Sequence, residues 1–394
     1  MNKIKHILFV TKEFQCDFQK NSGGTGVFYN NLSQELLRMG YQISVFGSSR
    51  NSFKIDDENF SLLFVKDYFK KNKLAELFRS LTGKFSFLEK FHYLIYNWEK
   101  NYLKKNLKTF ISDKEIDVIE THDWEGLCTI VEDLKIPYAV RFHGSWSVLN
   151  KFFGYGASKG KIIEEKRAFA NVKNCITISK FNEKTVRETF GDKKFHLIYN
   201  GIDTDFYRPL SNVKIQPKSI FYLGSVSVEK GAEIAFEAFL EIVKIEKNAT
   251  LHFIGKETHL VENLQKKISE NCLEDKIIFY GKKNPNEIVE LISKAEVVFF
   301  PSKGENFSLA LLEVLAIGKP VICSDIESFR EVIKDGKTGM IAKSKEDFVE
   351  KTLFIFNNKN FSDKTSLQGS DLIKEKFSLK NMAEETINYY KTII

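Results

Sequence analysis

Short apolar runs alternate with amphipathic stretches along almost the whole chain, and that alternation predicts an α/β protein built on parallel sheets. In the first half, strands are predicted at Ile4–Val10, Tyr41–Phe46, Phe60–Val65, Asp117–Glu120, Tyr138–Arg141, Cys175–Ile178 and Phe195–Tyr199. Helical patterns fall between them, such as Gly26–Met39 closed by Gly40 and Phe181–Phe190 closed by Gly191. A glycine just past the last helical residue accepts the left-handed backbone that stops a helix. The second half repeats the scheme, with strands at Ser219–Leu223, Thr250–Ile254, Lys276–Tyr280, Val297–Phe300, Val321–Ser324 and Met340–Ala342.

The alternation breaks once, over Asn200–Lys218, which holds Pro209 and Pro217. A chain of 394 residues also exceeds the length over which one hydrophobic core keeps growing. Two domains are therefore expected, 1–200 and 201–378. A closing helix over 379–394 has no strand after it and is expected to pack back on the first domain. Doubly wound sheets bind ligands beyond the carboxyl ends of their strands, so two such domains facing one another would make a cleft.

Composition narrows the class further. Hydrophobic residues at 43% and charged residues at 28% describe an ordinary globular chain. Five cysteines are scattered without a Cys-x-x-Cys pair, which points to a reduced compartment and to neither a disulfide framework nor a zinc site. The apolar run Ile7–Val10 is too short for a secretory leader, and no run approaches the ~20 residues that span a bilayer. A cytoplasmic protein is expected, soluble or peripheral on the inner face of the membrane.

The net charge of +7 has a local source. Between Lys66 and Lys108 lie 11 basic and four acidic residues, an excess equal to that of the entire chain. Phe91, Leu94, Ile95, Trp98, Tyr102 and Leu103 recur there at helical spacing. Such a segment either lies on an anionic membrane surface or turns its apolar face to the core and its lysines to water. No nucleic-acid-binding module accompanies it, so nucleic acid is not an expected partner.

Several constellations carry chemistry. Gly304-Glu305-Asn306-Phe307-Ser308-Leu309-Ala310-Leu311-Leu312-Glu313 follows a strand and opens a helix ended by Gly318. N–H groups near Phe307 to Leu309 suit a phosphate, and Glu313, among leucines, needs a partner that two vicinal ribose hydroxyls could supply. A Glu paired with a lysine and a second Glu in a surface loop is the plainer alternative. Lys230, between Gly224 and Gly231 after the first strand of the second half, suits a departing diphosphate. In the first half, Ser22-Gly23-Gly24-Thr25-Gly26 joins a strand to a helix, and its glycines let amides approach a ligand. The spacing is not Gly-x-Gly-x-x-Gly, and Phe46-Gly47-Ser48 stands where a dinucleotide site has an acid, so no dinucleotide cofactor is expected. His143 and the pair His122-Asp123 fall at strand ends. The pair reads as an acceptor-side or positioning element, or Asp123 as a helix cap. Trp146 reads as a sugar platform or as core.

These motifs resemble glycosyltransferase family 4 of the GT-B fold, whose signature is a Glu-x7-Glu element in the same strand–loop–helix setting. The resemblance spans essentially the whole chain. It implies two facing Rossmann-like domains and a retaining, metal-independent transfer of a hexose from a nucleotide diphosphate sugar to a glycan or lipid-linked acceptor. It assigns Glu305 to the donor sugar, Glu313 to the ribose, Lys230 to the phosphates and His143 to the sugar near the reacting carbon. Gly23, Gly24, Ser225, Asn306, Phe307, Ser308 and Leu309 become donor-binding candidates; His122, Asp123 and Trp146 remain on the acceptor side. Ser225 departs from the family pattern, which usually has Arg there. A GT-B-like epimerase or a non-catalytic binding subunit would share the same donor pocket.

Overall fold

The computed structural model describes residues 4–19, 22–72, 74–78 and 89–394, and of residues 89–93 the backbone alone. The chain forms two compact units, Met1–Asn200 with Met382–Ile394, and Gly201–Asn381.

The first unit is built on an eight-stranded sheet of β1 (His6–Val10), β2 (Gln42–Ser49), β3 (Phe53–Asp56), β4 (Phe60–Lys66), β5 (Val118–His122), β6 (Tyr138–Phe142), β7 (Cys175–Thr177) and β8 (Phe195–Leu197). Their order is β3-β4-β2-β1-β5-β6-β7-β8, and every pairing except β3 with β4 is parallel. Parallel strands covered on both faces read as unbroken apolar runs, and Ile7–Val10 has no exposed surface. β3 escapes that signature. It is an antiparallel edge strand whose Lys54 and Asp56 face water and pair with each other at 2.7 Å.

The basic segment resolves into structure over much of its length. In the helix Glu89–Phe110, Leu103, Leu107 and Phe110 join the core formed by Leu8, Val10, Phe46 and Ile119. Lys104 pairs with Asp133, Lys100 pairs with Glu164, and Lys71 lies over the Tyr102 ring. Leu94 and Trp98 stay about half exposed, as do Leu77 and Phe78. Lys73, Arg79 and Lys84, and the side chains of Lys90 and Phe91, lie outside the described residues. Among the described residues no helix is long and apolar enough to cross a membrane.

The closing helix, Leu379–Tyr390, completes the first unit's core from its far end of the chain. Arg141 on β6 has no exposed surface and makes two 2.9 Å hydrogen bonds to Glu120 on β5. Such a buried ion pair requires further hydrogen bonds to offset desolvation. Tyr390 donates to Glu120 at 2.7 Å, and Arg141 donates to the Thr386 hydroxyl at 3.0 Å.

The second unit carries a six-stranded, wholly parallel sheet ordered β11-β10-β9-β12-β13-β14. The strands are β9 (Ser219–Leu223), β10 (Thr250–Ile254), β11 (Ile277–Phe279), β12 (Val297–Phe300), β13 (Val321–Ser324) and β14 (Met340–Ala342). Strand order runs outward in both directions from the neighbours β9 and β12. The crevice beyond their carboxyl ends is where this topology leaves room for a ligand.

Candidate active site

The loops after β9 and β12 meet at that crevice because of a glycine. Gly231 sits at φ +72, and a Cβ there would fall 1.9 Å from the Pro301 carbonyl oxygen, an overlap no side chain tolerates. The close approach places Lys230 beside the β12 loop, where its ammonium pairs with Glu305. Ser302 donates to the same Glu305 oxygen at 3.2 Å. The Ser225 and Lys230 carbonyls both accept from the Tyr222 hydroxyl, at 2.7 and 3.2 Å, so the loop is pinned from below. Lys230 therefore faces a carboxylate.

Ser308 caps the next helix, Leu309–Ala316, by accepting from Leu311 N–H at 3.3 Å. The N–H groups of Leu309 and Ala310 precede the first intrahelical bond, made by Leu312 to Ser308, and are the helix's open donors. They lie slightly later than the Phe307–Leu309 expectation. Phe307 itself is buried against Phe377, with ring centroids 5.9 Å apart, and Asn306 precedes it in the loop. Glu313 lies in the second turn of this helix. Burial raises its pKa to about 7, against a hydrogen bond from Tyr207. Glu305 stands on the irregular loop before the helix.

An Asp-x-Asp spacing, expected to be absent from this sequence, does occur at Asp203-Thr204-Asp205. The Asp203 carboxylate accepts from the N–H groups of Asp205 and Phe206, both at 3.0 Å, and so organises its own turn.

In the first unit the strand-end loops are tied by carboxylates. Gly23 N–H donates to Glu13 at 3.0 Å, and a Cβ on Gly23 would meet that oxygen at 2.8 Å. This amide is taken by the protein itself, while Gly24 opens the helix Gly24–Arg38 with nothing within 4 Å of its would-be Cβ. Phe28 and Tyr29 on that helix stack edge-on to His143, with centroids 4.5 and 5.7 Å away. Burial first, then Arg141 and His122, push the His143 pKa well down, so the ring is neutral.

His122 has no exposed surface. Its Nε2 faces Lys12 N–H at 3.1 Å and its Nδ1 faces Trp124 N–H at 3.2 Å. Burial and Lys12 push its pKa down to about 3. It fixes the loop after β1 against the loop after β5. Asp123 makes no cap hydrogen bond to its own turn. Its two oxygens instead accept from His143 N–H at 3.1 Å and Gly144 N–H at 3.2 Å.

Glu165 went unnoticed in the sequence, where it looks like one more charge on a helix. It accepts from Glu125 N–H at 3.1 Å, Trp146 N–H at 3.0 Å and Ser147 N–H at 2.8 Å, so it clamps two loops together. Those loops edge a hollow of about 400 Å³ that includes Trp124, Trp146 and a chain of paired charges. Lys12 bridges Glu99 and Glu125, and Lys161 bridges Glu125 and the face of Trp146, 4.3 Å from its centroid. Burial works against charge on Glu125, yet Lys12 and Lys161 outweigh it and hold that carboxyl well below its usual range.

Comparison with known proteins gives the family and the fold. The profile described as Glycosyltransferase Family 4 matches residues 22–206, and that described as Glycosyl transferases group 1 matches residues 203–370. An uncharacterized glycosyltransferase of Methanocaldococcus jannaschii is 26% identical over 310 residues, covering 73% of this chain and 78% of that one. Mannosylfructose-phosphate synthase of Agrobacterium fabrum is 21% identical and covers 93% of this chain and 86% of its own. Among solved structures, sucrose-phosphate synthase from Thermosynechococcus elongatus superposes with a TM-score of 0.77 at 15% identity, covering 98% of each chain. Anabaena HepE in complex with UDP-glucose superposes at 0.72 with 13% identity, covering 98% of this chain and 99% of that one.

Proposed function

The chain belongs to glycosyltransferase family 4 (glycosyl transferases group 1) with the GT-B fold, and from that premise we propose that it moves a hexose from a nucleotide diphosphate sugar to a glycan or lipid-linked hydroxyl, with retention at the anomeric carbon. The observation that carries this reading is the Lys230–Glu305 pair at the β9–β12 crevice, beside the Ser308-capped helix that bears Glu313. Glu313 accepts from the ribose hydroxyls. Lys230 and the Leu309 and Ala310 amides take the diphosphate, which lets Glu305 turn to the sugar hydroxyls. The bond from the anomeric carbon to the phosphate oxygen breaks as the acceptor oxygen bonds on the same face. The acceptor's proton leaves with the nucleoside diphosphate. Preorganised donors at a departing charge are the strongest single contribution to such a step.

His143 and Gly24 are the first unit's candidates for the donor, and the Trp124–Trp146 hollow is its candidate for an acceptor. Gly23 serves by shaping the loop over Glu13. Exposed Leu77, Phe78, Leu94 and Trp98 within a basic segment support a place on anionic membrane, where lipid-linked acceptors lie; co-sedimentation with phosphatidylglycerol vesicles, lost at high salt, tests it.

UDP-glucose is the first donor to try, because HepE was solved with it. UDP-, GDP- and ADP-sugars are screened by thermal shift, then for release of nucleoside diphosphate. A donor should raise Tm in the wild type, and turnover should fall steeply in Lys230→Ala. No shift with any nucleotide sugar would end this reading. Ser225, where the family usually has Arg, favours a second reading as a binding subunit. Binding without turnover, unchanged by Lys230→Ala, would support that one. A new hexose stereochemistry formed without acceptor would identify an epimerase.

A further inference from the structure

The amino-terminal edge of the second sheet, the end opposite Lys230 and Glu305, holds a groove of about 510 Å³. Pro217 leads into β9, Glu296 into β12 and Lys319 into β13, so all three strand entries border it. Its walls are mostly apolar, from Pro209, Ile215, Phe356 and Leu367.

Lys319 is the anomaly in this groove. It is only 8% exposed, yet among the described residues no carboxylate pairs with it. Buried Arg141 has Glu120, and the partly buried Lys12 and Lys100 have Glu99 with Glu125 and Glu164 respectively. Burial alone acts on Lys319 and lowers its pKa to about 8. Glu296, which also borders the groove, already accepts from Lys218 N–H. A largely covered lysine without a counter-charge is poorly compensated, and an anion in the groove would pair with its ammonium. Exposed Lys359 and Lys374 at the rim add to the attraction, and exposed Asp363 offsets one of them.

We propose that this groove is a second ligand site for a small molecule carrying one anionic head group on an apolar body, with Lys319 receiving the head and the Pro209–Phe356 wall receiving the body. A short path leads from it to the nucleotide pocket. The helix Leu309–Ala316, which carries Glu313, ends at Gly318, immediately before Lys319. Pro209 packs on Gly318, its Cγ 3.2 Å from where a Cβ would stand. Two residues earlier, Tyr207 hydrogen-bonds Glu313. A ligand pressing on Pro209 therefore acts on the Tyr207–Glu313 contact and changes nucleotide affinity. This coupling rests on the donor reading above; the binding itself does not.

The probe is hexyl phosphate, against inorganic phosphate (head alone) and hexan-1-ol (body alone), titrated into the full chain by calorimetry without nucleotide. Hexyl phosphate should bind at least 10-fold more tightly than either control. Lys319→Met, which keeps the length and apolar stem, should weaken it roughly 10- to 100-fold, the weight of one charged hydrogen bond. Leu367→Glu, at an exposed position on the wall, should weaken it without touching the core. Lys230→Ala should leave it unchanged. Binding that survives both groove variants, or that Lys230→Ala abolishes, overturns the site. Saturating hexyl phosphate should then shift the dissociation constant of UDP at least 3-fold. An unshifted value overturns the coupling, whereas failure of UDP to bind wild type at all strikes the donor reading and leaves the Lys319 result standing.

Discussion

Asp123 holds His143 by its backbone: one carboxylate oxygen accepts from His143 N–H at 3.1 Å while the other accepts from Gly144 N–H. The orientation of the histidine is thus set from the neighbouring strand end. Asp123→Ala strands two inward-facing donors and should cost about 1–3 kcal/mol in chemical denaturation. Turnover should fall about 10- to 100-fold, on the scale that misplacement of a positioned group costs. Asp123→Asn, which keeps one accepting oxygen, should recover part of both. Equal activity in wild type and Asp123→Ala would separate His143 from the reaction.

Removing the Lys230–Glu305 pair tests the donor site with little risk to folding, since Lys230 is a third exposed. Lys230→Ala should lower kcat by roughly 10²- to 10³-fold, the range for loss of one preorganised donor. Glu305→Gln leaves Lys230 without its charged partner. Affinity for the bare nucleoside diphosphate should rise while transfer of the sugar falls. Calorimetry and a product assay read the two effects separately.

Glu313 gives a pH signature. Its folded pKa is raised to about 7 by burial, so the folded state keeps a proton that the unfolded chain releases near 4.5. Stability relative to Glu313→Gln should therefore fall as pH rises from about 4.5 to 7 and level off above. Ribose hydroxyls donate to the ionised form, so nucleotide affinity should climb over the same interval. Glu313→Gln should flatten both profiles.

Tyr390→Phe removes one hydrogen bond from the Glu120–Arg141 pair and should cost about 1–3 kcal/mol, because Glu120 has no water to turn to. Arg141→Met, which leaves Glu120 charged and buried, should cost more, about 3–5 kcal/mol. Urea melts of the two variants order these losses.

Most strands were legible in the sequence for a common reason. Parallel strands buried on both faces leave apolar runs; Lys230 and Glu305 fall in loops after two of them and Glu313 in the helix that follows, where the resemblance to family 4 assigns them donor-binding roles. β3 was missed because an edge strand alternating with Lys54 and Asp56 carries no such run. Glu165, Lys12 and Lys319 were missed because their meaning is tertiary. Glu165 differs from any helical glutamate only in the loops it meets, and Lys319 only in the carboxylate it lacks. The basic segment gave an ambiguous pattern, since Leu103 and Leu107 are core whereas Trp98, on the same helix, faces water.

The latch made by Thr386 and Tyr390 also orders events during synthesis. The first unit needs Met382–Ile394, which are made after Gly201–Asn381, whereas the second unit is one continuous stretch. The amino-terminal sheet must therefore wait, with Arg141 and Glu120 short of two hydrogen bonds, while the later-made unit can already close. A chain cut after Asn381 would keep every residue of the second unit while the first lacked Thr386 and Tyr390.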